Sequence, residues 1–376
     1  MSKETTSVGL VKFGLIFIAL IALTSCSQKE DKRTAPVARK ANIALKTNTI
    51  ETNAPKQLSD YGFFKGQLAQ LNPNEDVYPY AINTPLFTDY AKKARFIYLP
   101  NGKQMDFKSN GPLDFEDGAI LIKNFYYPSD ERNPVAGRRI IETRLLIKEK
   151  GVWNPLNYLW NEDQTDADLD YVGKTMAVNW VNSEGKNKKL DYVVPNLNQC
   201  KNCHNTNNKI VPIGPTAAQL NQRYRSLQED INQLDYFKKL GILKGLSTAE
   251  TQDKMPIWND VLTGSVEERA KAYLDANCAH CHSAQGSAKN AGLYLNYHEK
   301  DQRRRGVFKP PIAAGKGSGD HQYDIVPGKP EESIFMYRMI SNDPAIRMPE
   351  IGRSVVHQEG VDLLQQYIKG LVEESF

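Results

Sequence analysis

Four of the five cysteines fall in two pentapeptides, Cys200-Lys-Asn-Cys-His204 and Cys278-Ala-His-Cys-His282. In each, a histidine directly follows a CxxC, which is the spacing of c-type haem attachment. The chemistry asks for that spacing: two thiols reach the two vinyl groups of one porphyrin, and the next residue turns its imidazole onto the iron. Zinc sites and thioredoxin-like redox centres also use CxxC, and the histidine separates haem from both. The two pairs stand 74 residues apart, whereas a zinc ribbon keeps roughly 15–20 between them. Two covalently attached haem c groups are therefore expected. Cys200 and Cys203 would hold one and Cys278 and Cys281 the other, with His204 and His282 as proximal iron ligands.

The sixth ligand decides what each iron can do, because a methionine thioether raises the potential and closes the iron to substrates. Met348, 66 residues after His282 in Arg347-Met-Pro-Glu350, has a loop setting and a helix downstream. It is the expected metal ligand of the second haem. Met339, in Ser333-Ile-Phe-Met-Tyr-Arg-Met-Ile340, reads as a buried helical face. For the first haem the sequence leaves Met176, Met255, Met339, His298, His321 and His357 open, together with a vacant coordination position. His280, inside the second motif, is expected to point away from its iron.

The elements that must carry these residues begin at an export signal. The aliphatic run Phe13 to Leu23 follows Lys3 and Lys12 and ends at Leu23-Thr-Ser-Cys26, which gives a basic start, 11 apolar residues and small residues before a cysteine. The run is too short to span a bilayer. Residues 1–26 are expected to be a lipoprotein signal peptide whose lipobox leaves Cys26 as the lipidated first residue, which accounts for the fifth cysteine. The polar stretch 27–56 reads as a disordered tether with a reach of roughly 30 Å. The protein is thus expected in the cell envelope, periplasmic or surface side, anchored to a membrane through its lipid. Loss of residues 1–25 takes Lys3, Lys12 and Glu4, so the formal charge falls from +4 to about +3. Four haem propionates would bring it to about −1, and nothing in that balance argues for nucleic acid.

Residues 57–195 read as a mostly antiparallel β domain. Ala94 to Leu99, Ala119 to Lys123 and Arg139 to Ile147 are rich in β-branched and aromatic residues, with the turn formers Pro100-Asn-Gly102 and Lys150-Gly151 between them. Ala177 to Val181 and Leu190 to Val194 read as a hairpin around Ser183-Glu-Gly185. Beyond it the periodicity turns helical. Leu220, Tyr224, Leu227, Ile231 and Leu234 predict a long amphipathic helix after the cap Thr216-Ala-Ala-Gln219, with Gly241 as a stop. Ser247-Thr-Ala-Glu250 and Ser265-Val-Glu-Glu268 repeat the capping pattern, and Val361, Leu364, Ile368 and Leu371 predict a terminal helix. The expected fold is α+β and multidomain: the β domain, then two all-α cytochrome c-like haem modules over 196–262 and 263–376.

Several segments together resemble an exported bacterial family of diheme c-type cytochromes of unsettled enzymatic role. They are Leu58-Ser-Asp-Tyr-Gly-Phe63, Asn83-Thr-Pro-Leu-Phe-Thr-Asp-Tyr-Ala91, Ile141-Glu-Thr-Arg-Leu-Leu146, Trp160-Asn-Glu-Asp-Gln-Thr-Asp-Ala167 and Val194-Pro-Asn-Leu-Asn-Gln-Cys200. Further along stand Pro212-Ile-Gly-Pro215, Arg269-Ala-Lys-Ala-Tyr-Leu-Asp-Ala-Asn-Cys278, Ala313-Ala-Gly-Lys-Gly-Ser-Gly319 and Met348-Pro-Glu-Ile-Gly-Arg353. The resemblance covers nearly all of 58–372. It implies two covalent haems, an N-terminal domain particular to the family and a C-terminal half similar to class I cytochrome c, with Met348 at the methionine-ligand position. Electron transfer with exported redox partners (a small cytochrome, a dehydrogenase or an oxidase) is the expected role. A peroxidase-like enzyme with an open first haem is the alternative. A third reading makes the β domain a docking module, although Trp153, Trp160 and Trp180 are expected in its core.

Overall fold

The β-branched runs assemble into one six-stranded sheet in the computed structural model, which describes residues 54–225, 230–312 and 314–372. The strands are β1 (Val77–Tyr80), β2 (Lys92–Tyr98), the short pair β3 (Met105–Asp106) and β4 (Asp114–Phe115), β5 (Ile120–Pro128), β6 (Arg138–Glu149), β7 (Val152–Trp160) and β8 (Ala167–Asp170). The main sheet runs β1-β2-β5-β6-β7-β8 with every neighbour antiparallel. β3 and β4 form a small separate sheet with Leu243–Lys244. The hairpin follows as β9 (Lys174–Val181) and β10 (Asn187–Val194), registered from Val181 opposite Asn187.

Period-two alternation gives the main sheet two buried faces. Phe96, Ile122, Leu145, Leu156 and Tyr158 point to one face, which Leu58, Phe63, Phe64 and Leu71 cover. The opposite face is covered at its two ends by different parts of the chain. Ile97, Leu121, Leu146 and Trp153 pack against Leu220, Leu234 and Phe237, while Phe125, Tyr127 and Ile141 pack against Val178, Trp180, Leu190 and Tyr192 of the hairpin. Trp153, Trp160 and Trp180 are all core residues.

The two all-α modules are not present. The described helices are short: α1 (Leu197–Cys203), α2 (Ala217–Leu220), α3 (Gln233–Lys239), α4 (Val266–Leu274), α5 (Ile334–Ile340) and α6 (Gln358–Gly370). Antiparallel β structure extends through the region assigned above to the first module, where Arg223–Arg225 pairs with Asp230–Asn232 in place of the long helix. Two asparagines explain the difference, because such side chains compete with helical backbone bonding. Buried Asn221 donates from Nδ2 to the carbonyls of Ala249, Gln252 and Asp253 at 3.0–3.2 Å, and α2 stops at Leu220. Asn232 caps α3 by accepting from Leu234 N at 2.9 Å. Leu220 and Leu234 keep their apolar partners by packing on the sheet rather than along one helix. Leu227 lies outside the described residues.

The C-terminal part is likewise not an all-α module. Glycine and proline recur through 283–333, including Pro310, Pro311, Pro327 and Pro330, and the chain there runs in turns and one-turn helices. Around Leu274, Met336, Met339, Val361, Leu364 and Ile368 it builds its own apolar cluster. α4 and α6 pack closely enough for Tyr273 Oη to lie 2.9 Å from His357 Nδ1. Gly360 permits this, since a Cβ there would stand 2.3 Å from that hydroxyl. Among the described residues no helix is long and apolar enough to cross a membrane. Residues 1–53, with the signal segment, Cys26 and most of the tether, lie outside the described residues.

Ile122→Ala empties a fully buried position in the central strand pair, and equilibrium urea unfolding is expected to show a loss of about 2–5 kcal/mol. Val261→Ala, at a position 72% exposed, should stay within about 0.5 kcal/mol.

Candidate cofactor cleft

α1 exists because its first turn is capped from both sides: Asn196 Oδ1 accepts from Gln199 N, and Gln199 Oε1 accepts from Asn196 N, each at 2.9 Å. Asn196-Leu-Asn-Gln199 is a capping pattern legible in the sequence. The helix holds Cys200 and Cys203 three positions apart, so both thiols lie on one face, and ends with His204 as its C-cap. His204 Nδ1 lies 2.9 Å from the Val211 carbonyl oxygen. A carbonyl only accepts, so in this bond Nδ1 carries the proton, and the neutral ring keeps its lone pair on Nε2. That is the arrangement in which a histidine is held for a metal by its second nitrogen. Burial pulls His204 down to about 4, against the Val211 bond, so the imidazole is in the neutral form that ligation needs.

The second motif grows from α4. Ser265 accepts from Glu268 N at 3.2 Å and Glu268 Oε2 accepts from Ser265 N at 2.8 Å, which is the expected capping box. The helix then widens to a π-turn over Asp275–Ala279, a local feature often found at functional sites. His282 N donates to Cys278 O at 2.8 Å and Leu295 N to His282 O at 2.9 Å. Burial lowers His282 to about 4, with Arg338 and Lys309 adding to the shift. Its Nδ1 is buried without a hydrogen-bond partner.

The fold brings the two motifs together. Asn207 N, after the first, donates to Gln285 O, after the second, at 2.9 Å. Burial pushes the Cys203 thiol up to about 12, and Cys281 is the next contributor. His280 is lowered to about 4 by burial and then by His204 and His282. Cys200, Cys203 and His204 line a cleft together with Lys123 and Arg144 of the sheet and His280 of the second motif. The cleft is open at its mouth and has a cavity volume of about 90 Å³. Thr88 Oγ1 and His280 Nδ1, both on its wall, are buried with no partner.

Of the residues weighed for the first motif, Met339 and His357 line this cleft, whereas Met176, Met255, His298 and His321 do not. Met339 also lies in the C-terminal apolar cluster. His357 is stacked on Phe87 at 4.1 Å and bonded to Tyr273. Met348 is half-buried on a loop whose Pro349, Ile351, Gly352 and Arg353 line the cleft beside the first motif, while Glu350 contributes to raising the Cys281 thiol of the second, after burial and against its Ser287 bond. Buried Arg353 fixes that loop. Its guanidinium donates to the carbonyls of Met348 at 2.8 and 3.0 Å, Ser341 at 2.9 Å and Met339 at 3.2 Å.

All four described cysteines are free, and burial raises each of their pKa values. Such surroundings disfavour a thiolate and suit a neutral thioether sulfur. Paired cysteines followed by a histidine are the residue types that would hold covalent haem c. Among the described residues no group of three or more His, Cys, Asp or Glu side chains is placed to hold a metal ion. A haem iron takes four donors from its porphyrin and asks the protein for one or two.

No known family model matches the chain, and neither a curated protein nor a solved structure matches it.

Sequence reasoning missed the residues that hold the cleft walls in place. Asp89, 2% exposed, accepts from Ser354 N at 2.7 Å, Ser354 Oγ at 2.8 Å and Val355 N at 3.1 Å. Phe87 N donates to Asn277 Oδ1 at 2.7 Å. Asp89→Ala takes the acceptor from these part-buried donors, of which Ser354 Oγ alone keeps another, the Asp191 carbonyl at 3.2 Å. The expected cost is on the order of 3 kcal/mol, read by urea unfolding, and Asp89→Asn should recover part of it.

Proposed function

We propose that this chain is a membrane-tethered diheme c-type cytochrome that passes electrons between exported redox partners. The carrying observation is that its two CxxCH motifs, whose CxxC pairs have 74 residues between them, meet beside one cleft and are joined by the Asn207–Gln285 backbone bond. Cys200 and Cys203 would anchor one haem c and Cys278 and Cys281 the other, with His204, His282 and Met348 as the residues that would ligate iron. Haem c supplies one-electron iron chemistry, and adjacent attachment sites suit transfer between the pair. Arg353 is a positioning residue: it holds the Met348 carbonyl and with it the loop that presents the thioether. A lipid on Cys26, followed by the tether 27–56, would keep the protein at a membrane of the cell envelope. The partners belong to the class of small cytochromes, dehydrogenases and oxidases.

The cleft around the first motif favours a second reading, in which an open iron there reacts with peroxide while the second haem delivers electrons. The unpartnered Thr88 Oγ1 and His280 Nδ1 on its wall would serve such a site as polar groups.

Protein matured in a host competent for haem attachment should give two haems per chain by pyridine haemochrome. One haem or none sinks the proposal. His204→Ala should remove the ligand of the first haem and leave the second spectrum unchanged. Met348→Ala should lower the second haem's potential and give it a high-spin signal. Arg353→Ala should weaken methionine ligation while both haems stay attached, with Arg353→Lys intermediate. Turnover of peroxide with a reduced cytochrome, lost in His204→Ala, would transfer the assignment to the peroxidase reading.

A further inference from the structure

Between its two apolar ends, the sheet face that looks toward the cleft carries a band of charge. Arg95 of β2 stands opposite Lys123 of β5, Lys123 opposite Arg144 of β6 and Arg144 opposite Asn157 of β7. Lys93 stands one position along the same face, opposite Phe125. The preceding row, Ile97, Leu121, Leu146 and Pro155, is apolar. Like charges directly opposite one another on a sheet are destabilising, so a row of three cations on a half-buried face calls for a compensating group.

The protein supplies only part of it. Glu142, fully buried, pairs with Arg144 through Arg144 Nε at 3.0 Å and accepts from Tyr192 Oη at 2.5 Å. Among the described residues no carboxylate pairs with Lys93, Arg95 or Lys123. Lys123 lies 4.9 Å from the Phe125 ring and Lys93 5.9 Å from it. Burial and the neighbouring cations hold both lysines well below the usual lysine range. Independent of charge, Asn157 is 2% exposed and neither of its amide atoms has a partner, and one Arg95 guanidinium nitrogen is likewise buried and unpartnered. Apart from Arg144, the cations of this row thus have no carboxylate partner among the described residues.

The row adjoins the first motif. Lys123 and Arg144 share the cleft wall with Cys200, Cys203 and His204, α1 packs on β7, and the row runs from β7 to β2 over roughly 15 Å at the usual strand spacing. We propose that Arg95, Lys123 and Lys93 form a carboxylate-binding row for the propionates of the haem attached at Cys200 and Cys203. The inference rests on the haem reading above. A porphyrin carries its propionates on the edge away from its vinyl groups, and the cations without a partner lie on the strands away from α1. Arg144, already paired to Glu142, is not part of the binding set.

The test uses holo-protein of the full chain as wild type, Lys123→Gln, Arg95→Gln and Lys123→Arg. Haem is counted by pyridine haemochrome, the propionate-bending band is read by resonance Raman, potentials by redox titration, and inorganic phosphate binding by calorimetry. Two haems are expected in every variant. In Lys123→Gln and Arg95→Gln one set of propionate bands should shift, and one potential should fall so that the oxidised-to-reduced ratio rises about tenfold, 59 mV for one electron. Lys123→Arg should resemble wild type, and phosphate should not bind. Unchanged bands in both glutamine variants, with two haems attached, overturn the inference and leave the functional reading standing. Phosphate binding to wild type that is lost in Lys123→Gln overturns it in favour of a free anion. Failure of wild type to take up haem overturns both. If Lys123→Gln does not accumulate, Arg95→Gln carries the same readouts.

Discussion

The arrangement depends on the buried connection between β1 and β2, residues 83–91. Asn83 Nδ2 donates to the carbonyls of Ala218 and Asn221, and Thr84 Oγ1 donates to Pro256 O at 2.6 Å. Phe87 bonds to Asn277 and stacks on His357, while Asp89 satisfies three donors from residues 354–355. These are buried polar groups, and a buried donor or acceptor left alone costs about 1–3 kcal/mol. The segment therefore has few alternative placements. By meeting its own hydrogen bonds it sets the sheet, the chain after the first motif, α4 and the Met348 loop in fixed relation.

The sheet's inner face shows how this frame divides its labour. Its ends are apolar and carry hydrophobic burial from two separate parts of the chain. Its middle holds Arg95, Lys123, Arg144 and Asn157, groups that a pure scaffold has reason to avoid, because burying charge without partners is costly. Arg144 is offset by Glu142 and Tyr192; the others are not. Unpaired polar groups are thus concentrated beside the cysteines, on an otherwise conventional sheet.

Burial also sets the chemical state of the motifs. His204, His280 and His282 are all held well below the ordinary histidine range, and the thiols are held above theirs. Neutral imidazole and neutral sulfur are the forms wanted by an axial ligand and a thioether, whereas a zinc or disulfide-exchange site wants thiolate.

Much of the local structure was legible in the sequence because it depends on near neighbours. The strands around Phe96, Ile122 and Leu145, the β9–β10 hairpin, the Ser265 cap and the apolar face of α6 all follow from periods of two or 3.6 and from turn or capping residues. The helix projected from Leu220 to Leu234 failed because its periodicity was real but its partners were on the sheet, while Asn221 spent its side chain on backbone carbonyls 28 or more residues away and Asn232 capped a new helix. Nothing in a linear pattern announces such distant bonds. By itself the sequence determined the two CxxCH spacings, since each is a pattern within one turn of chain. Only the tertiary structure decided that the two motifs adjoin, that the loop after Met348 lines the cleft of the first, and that Arg95, Lys123 and Arg144 line up across three strands. Those relations arise from long-range packing and strand register, in which a shift of a single residue would turn every one of these cations to the other face.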